Sequence, residues 1–264
     1  MRFKCVIGVP EFKIFEYKPK TKKYCLLIPV LNEGEKIKKE LLRAKENNVS
    51  DLVDIIICDG NSTDNSTNEE LLKELEVNTK LIKIGSGKLS AQLRMGFNYA
   101  LDRGYEGIIT IDGNNKDSIE DVYKFVEKLE EGYDFIQGSR FIKEGKAENT
   151  PLSRDLAIKL IHAPVISLTA KERFTDTTNG YRGFSRKYLS HKDVQLFRDV
   201  FDTYEILAYL STRASQLGLK TTEVPVTRVY PKGEPTPTHI SPIKGNINLF
   251  RILLKNLKGD YNPK

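Results

Sequence analysis

The chain has 264 residues, 39% hydrophobic and 30% charged, with 42 Lys and Arg against 36 Asp and Glu for a net charge of +6. That composition supports one large folded domain with a short appendage and excludes global disorder; the mild positive excess suits an anionic ligand or a lipid head-group surface, and no nucleic-acid partner is expected. Three cysteines (Cys5, Cys25, Cys58) and three histidines, with no CxxC, exclude a disulfide scaffold and a zinc-type cluster.

The opening apolar stretch is too short for a signal peptide, and no run of about 18–20 apolar residues occurs, so the expected compartment is the cytoplasm. Residues 11–24 are basic and read as an irregular arm. Residues 24–31 (YCLLIPVL) form a continuous apolar run, as a strand covered on both faces requires. Helical spacing of Ile37, Leu41, Leu42 and Ala44 follows over residues 34–47. Residues 54–58 (DIIIC) are the next strand, closed by a polar turn in which Asp64 is expected to cap the helix marked by Leu71, Leu72 and Leu75. Residues 79–84 form a third strand, and GSGK at 85–88 leads into a helix with Leu89, Leu93, Phe97, Ala100 and Leu101 on one face. Residues 107–111 (GIITI) are a fourth strand, ending in DGNNKD at 112–117. Ser118 and Asp121 read as a capping pair for a helix reaching Glu131, and residues 133–137 as another strand. Beyond residue 140 the rhythm weakens to a helix over 156–168, a helix over 200–217 and a strand over 221–229. Residues 230–242 carry Pro231, Pro235, Pro237 and Pro242 and form neither helix nor central strand.

Strands alternating with helices mean βαβ units and a mostly parallel sheet. Ligands of such sheets bind beyond the carboxyl ends of the strands, which places Asn32, Asp59, Lys88 and Asp112 on one rim. Pro29 is expected to stop pairing of the first strand. Asn32 and Glu33 then either meet a polar ring edge or make an ordinary turn. Asp59 accepts from a pyrimidine N–H or ribose hydroxyl, or closes its own turn. GSGK favours a diphosphate at a helix N-terminus without satisfying the P-loop pattern, and Lys88 and Arg94 are either anion contacts or surface cations.

Seven segments then stand in order: IPVLNEGEKI (28–37), IIICDGNSTDNS (55–66), KLSAQLRMGFNYA (88–100), ITIDGNNKD (109–117), QGSRF (137–141), DTTNGYRGFSRKYL (176–189) and LGLKTTEVPV (217–226). As a set they resemble the family 2 glycosyltransferases, which include the dolichyl-phosphate mannose synthases. The resemblance implies an α/β, GT-A-like three-layer sandwich with a mostly parallel central sheet. It implies an N-terminal arm at 1–23, a catalytic domain at 24–242 and a C-terminal tail at 243–264. The catalytic domain divides into a nucleotide-sugar half (24–140) and an acceptor half (141–242). The implied reaction moves a hexose from a UDP- or GDP-sugar to a polyprenyl phosphate or a glycan, with inversion, in cell-surface polysaccharide biosynthesis. Pro29, Asn32, Glu33, Asp59, Lys88, Arg94, Asp112 and Asn114 would bind the nucleotide sugar, with Asp112 and Asn114 holding Mg²⁺ or Mn²⁺. Asp176 would be the catalytic base, or a positioning group if the acceptor is an already anionic lipid phosphate. Arg182, Glu205, Arg228, Lys232 and His239 would contact the acceptor. Two positions depart from the family pattern. Gly60 removes one acid of the pair at 59–60. Asn114 replaces the second acid of Asp-x-Asp, offering a carbonyl oxygen without charge, while Lys116 adds a cation two residues on.

The stretch 243–257 (IKGNINLFRILLKNL) places Ile243, Ile247, Phe250, Leu254 and Leu257 on one stripe, near Lys244, Arg251, Lys255 and Lys258. Such a helix lies on an anionic membrane surface, here the inner face, packs on its own domain, or meets a second subunit in a homodimer. Two other functions compete. A non-catalytic binding protein is distinguished by donor turnover. A sugar-1-phosphate nucleotidyltransferase needs a Gly-rich, Arg-containing loop after the first strand, where this chain has PVLNEGEK.

Overall fold

Successive side chains of a strand point to opposite faces of its sheet, so the run beginning at Tyr24 supplies two cores at once. Cys25 and Leu27 join Met95, Phe97, Phe184 and Tyr209 on one face. Leu26 and Ile28 join Ile37, Leu41, Val122 and Phe125 on the other. The computed structural model describes residues 7–232 and 244–263. Its strands are β1 (Phe12–Glu16), β2 (Tyr24–Val30), β3 (Asp54–Asp59), β4 (Thr79–Lys83), β5 (Gly107–Thr110), β6 (Phe135–Ser139), β7 (Lys146–Glu148), β8 (Arg182–Ser185), β9 (Thr221–Pro225) and β10 (Thr227–Val229). Its helices are α1 (Glu35–Glu46), α2 (Glu69–Glu74), α3 (Leu89–Asp102), α4 (Val122–Glu130), α5 (Leu152–Ala157), α6 (Ala163–Ala170), α7 (Arg186–Leu189), α8 (Glu205–Gln216) and α9 (Lys244–Lys258).

The main sheet runs β1-β4-β3-β2-β5-β8-β6-β9, and β7 pairs with β10 in a separate parallel ribbon. In the main sheet β1 is antiparallel to β4 and β8 is antiparallel to both its neighbours; the other pairs are parallel. Chain order reverses at β2, whose neighbours are β3 and β5. The carboxyl ends of these three strands therefore flank one crevice, the position where open α/β sheets bind ligands.

Several expectations need correcting. Residues 12–16 are not irregular: they form an edge strand on β4, with Phe12 buried against the core. Pro29 does not end the pairing of β2, which continues to Val30 opposite Asp59. The Leu27 carbonyl accepts from Ile111 N on the β5 side and the Val30 carbonyl from Gly60 N on the β3 side. Backbone groups alternate sides, so the N–H that Pro29 lacks falls on the β5 side, past the last pair, Leu27 with Thr110. Asp64 does not cap α2; Asn68 does, accepting from Leu71 N at 3.2 Å. The helix over 156–168 is α5 and α6 joined by a π-helical turn, Ile158–His162. The strand over 221–229 is two strands in different sheets, β9 and β10. The helix over 200–217 begins only at Glu205.

Candidate active site

The loops after β2 and β3 are laced together. Asn32, at φ 52°, accepts from Thr63 N at 2.8 Å and donates its own N–H to Ser62 Oγ at 3.1 Å. Gly34 N donates to Asp64 Oδ2 at 3.0 Å. Glu33 pairs with Lys36 at 3.0 Å. Asp59 is buried at the end of β3, with Oδ1 accepting from Ser62 N at 2.7 Å and Oδ2 from Thr67 Oγ1 at 2.5 Å. It lines a polar cleft of about 250 Å³ with Thr67 and Lys80. Burial holds the Lys80 ammonium below its usual range.

The two expected donor cations on α3 differ in placement. Lys88 is exposed at the N-terminus of α3. Arg94 is buried and pairs with Asp199 at 2.8 Å and with the Gly8 carbonyl. The cause is helical geometry. On α3, Gln92 reaches the Val30 and Cys58 carbonyls, and Gly96 leaves no room for a Cβ beside Cys58 and Leu27. The residue midway between these sheet-facing positions points away from the crevice.

The loop after β5 carries the charged centre. Asn114 N closes on the Asp112 carbonyl at 2.8 Å, and Asn115 N donates to the buried Glu40 carboxylate at 2.8 Å. The strand β10 docks on this loop through Ser118 N to the Thr227 carbonyl (3.0 Å) and Val229 N to the Lys116 carbonyl (2.8 Å). This docking brings Arg228 across the loop. Its Nη2 lies 3.2 Å from Asp112 Oδ2 and its Nη1 bonds Asp117. Burial pushes the Asp112 carboxyl up, but Arg228 and Lys116 outweigh it and hold the group below its ordinary value. Burial dominates at fully buried Asp117, which is pushed up to about 6 despite Arg228. The Oδ1 atoms of Asn114 and Asp117 are buried and accept no hydrogen bond among the described residues.

The expected acceptor residues divide. Asp176 is fully buried: Oδ2 accepts from Arg140 Nε at 2.6 Å and Oδ1 from Arg140 Nη2 at 2.9 Å. It is thus placed as the partner of Arg140, not as an open carboxylate. Arg182 spends three donors on backbone carbonyls, those of Asn179 (3.0 Å), Leu207 (2.7 Å) and Thr177 (3.0 Å), and so braces the 177–182 turn from inside. Glu205 is engaged locally: it accepts from Asp202 N at 2.9 Å and Thr203 N at 2.5 Å at the start of α8. A carboxylate in a first helical turn satisfies donors that the helix leaves open. Lys232 is exposed at the edge of the described segment, and His239 lies outside the described residues.

Three residues absent from the expected set complete the site. The Tyr230 hydroxyl accepts from Arg154 Nη1 at 3.0 Å. Lys116, Arg154 and Arg228 stand over the Tyr230 ring at 5.3, 5.6 and 5.8 Å. Arg140 contributes from beside them. Burial pushes the phenol up, but Arg228, Arg154 and Arg140 bring it down to about 8. One of the twelve tyrosines is therefore expected to ionise near pH 8 in an ultraviolet titration, a step that Tyr230→Phe removes. Because the folded phenol ionises below the unfolded one, at about 10, this group adds stability as pH rises from about 8 to 10, and that contribution is lost on return to pH 8. Of these three residues only Arg140 carried a sequence signal, through the QGSRF segment.

The family model described as Glycosyl transferase family 2 matches residues 25–192. Glycosyltransferase AglJ of Haloferax volcanii is 28% identical over 239 residues, covering 90% of this chain and 73% of that protein. Polyprenol monophosphomannose synthase of Mycolicibacterium smegmatis is 26% identical over 218 residues, covering 78% of this chain and 77% of that protein. Among solved structures, glucosyl-3-phosphoglycerate synthase from Mycobacterium tuberculosis, in complex with Mn²⁺, UDP and glucosyl-3-phosphoglycerate, superimposes with a TM-score of 0.63 at 15% identity, covering 91% of this chain and 79% of that one. That likeness concerns the fold, which is GT-A. The family match spans more than half of the chain and includes β2, β3, β5 and the Asp112 loop. The chain belongs to glycosyl transferase family 2 and is a glycosyltransferase.

Proposed function

We propose that this glycosyltransferase moves a hexose from a UDP- or GDP-sugar to a polyprenyl phosphate at a membrane surface, with inversion at the anomeric carbon. The observation that carries the acceptor is the convergence of Lys116, Arg140, Arg154 and Arg228 on Tyr230. Four cations gathered from four segments suit a phosphate, which guanidinium groups bind through paired, charge-assisted hydrogen bonds. A phosphate oxygen is already anionic and attacks without a general base. The placement of Asp176 agrees with that: it orients Arg140 and leaves no carboxylate oxygen open for proton abstraction. The name of the mycobacterial relative points to the same acceptor class.

On the donor side, the cleft beside Asp59 and Lys80 receives the nucleotide, and Asp112 faces the diphosphate. The residues here suit a divalent ion with a reduced ligand set. Asp112 offers a carboxylate, and Asn114 offers a buried Oδ1 without a donor among the described residues; both are hard oxygen ligands fit for Mg²⁺ or Mn²⁺. Among the described residues no three His, Cys, Asp or Glu side chains gather as a metal group. When bound, such an ion would supply Lewis-acid neutralisation of the departing diphosphate. Lys116 and Arg228 supply part of that positive charge from the protein itself.

Two exposed ridges support action at a lipid surface. Leu152, Leu156, Leu160, Pro164 and Leu168 recur at every fourth residue along α5 and α6 and are exposed, Leu152 by 72% and Leu160 by 70%. On α9, which packs beside α6, Ile247, Phe250, Leu254 and Leu257 are exposed with Arg251, Lys255 and Lys258. Apolar stripes with basic neighbours enter the head-group region of anionic bilayers. No helix among the described residues is long and apolar enough to cross a membrane. The experiment that tests the proposal is transfer of labelled hexose to polyprenyl phosphate compared with polyprenol of the same length.

A further inference from the structure

We propose that Arg228 is a built-in counter-ion of the donor site, and that it and a divalent ion exclude one another at Asp112. The inference rests on the reading of Asp112 and Asn114 as ion ligands. Of the two Asp112 oxygens, Oδ1 is pressed against the chain at Gly180, where an added Cβ would collide with it. The other, Oδ2, is the oxygen that Arg228 Nη2 holds at 3.2 Å. An ion drawn to Oδ2 of Asp112 therefore meets a guanidinium already there.

The placement of Arg228 is built, not incidental. Its backbone neighbours on both sides are hydrogen-bonded to the Asp112 loop, through Thr227 to Ser118 and Val229 to Lys116. The side chain is 6% exposed and spans two carboxylates, Asp112 and Asp117. Lys116 stands beside it, both cations lying over the Tyr230 ring. A divalent ion, Arg228 and Lys116 packed into this volume would repel strongly in a poorly solvated site. Ion entry has to move the Arg228 guanidinium off Asp112, and the freed guanidinium then faces the anions that arrive with the ion. Arg228 thus changes partner from carboxylate to phosphate as the donor site fills. Its role is that of a positioning residue that sets ion affinity, so the protein alone binds the ion weakly.

The test is calorimetric titration of Mn²⁺, without nucleotide, into the whole chain and its variants. Arg228→Gln is expected to bind Mn²⁺ roughly tenfold or more tightly than the parent, the scale of one lost charge-assisted hydrogen bond. Asp112→Asn is expected to abolish the binding. Because Arg228→Gln leaves Asp117 buried without its partner, the same comparison is made in an Asp117→Asn background, where no such charge is stranded; there too, adding Arg228→Gln is expected to tighten binding. Mn²⁺ binding that depends on Asp112 but is unchanged or weakened by loss of Arg228 in both backgrounds overturns the exclusion and leaves the ion site standing. No Mn²⁺ binding by any of the proteins overturns the ion site and the exclusion with it.

Discussion

Asp112→Ala is expected to lower turnover by about 10²–10³-fold, the usual loss when a preorganised charge-stabilising group is removed, while leaving the fold in place. Asp112 stands beyond the end of β5 with its side chain 30% exposed, so no core packing is lost. Arg228 keeps Asp117 as a partner after the substitution. On the proposed reading the loss belongs to the diphosphate end of the donor, which Asp112 would face with a partly open carboxylate. Initial rates at saturating donor, with a thermal melt of the same preparation, separate the two effects. A wild-type rate removes Asp112 from the site; a collapsed melt assigns it to the fold.

Asp176→Ala acts on stability. The Arg140–Asp176 pair is enclosed, with side chains 1% and 0% exposed and two side-chain hydrogen bonds between them. Removing the carboxylate strands a buried guanidinium, which costs about 3–5 kcal/mol, a large share of the roughly 5–15 kcal/mol that holds a typical domain folded. The expected readout is a lower urea midpoint at an unchanged slope. Replacing both partners, Asp176→Ala with Arg140→Met, is expected to recover much of the loss, because neither charge is then left unpaired. A single-variant loss under about 1 kcal/mol would mean that the pair is effectively solvated.

The sheet was legible because its central strands are covered on both faces and read as unbroken apolar runs. The edge was not. In β1 (FKIFE) charged residues flank the apolar ones, as edge strands use lysine to discourage pairing, and in sequence this looks like a polar arm. The division between β9 and β10 was hidden for another reason: one extended run crosses from the main sheet to a ribbon with β7, and extended sequence does not state its partner.

At the site, sequence located the rim and misjudged the layer behind it. Asp59 and Asp112 follow from strand ends. Arg94, Arg182 and Glu205 carry the right chemistry, yet they are engaged by Asp199, by backbone carbonyls and by a helix start. Asp176 was recognisable as a carboxylate of interest, but its partner Arg140 is 36 positions away. Tyr230 and Arg154 meet across 76 positions. Such pairings arise from the tertiary fold and leave no local periodicity to read.

The central claim is that the attacking group is an anionic lipid phosphate held by the cations around Tyr230. Its most direct test presents the purified protein with labelled UDP- and GDP-hexoses and either polyprenyl phosphate or the polyprenol of equal length, and counts label in the lipid phase. Label is expected with one of the two donors and with polyprenyl phosphate alone. Equal transfer to the uncharged polyprenol, or transfer only to a glycan, would contradict the account, because neither needs the cluster that Lys116, Arg140, Arg154 and Arg228 build.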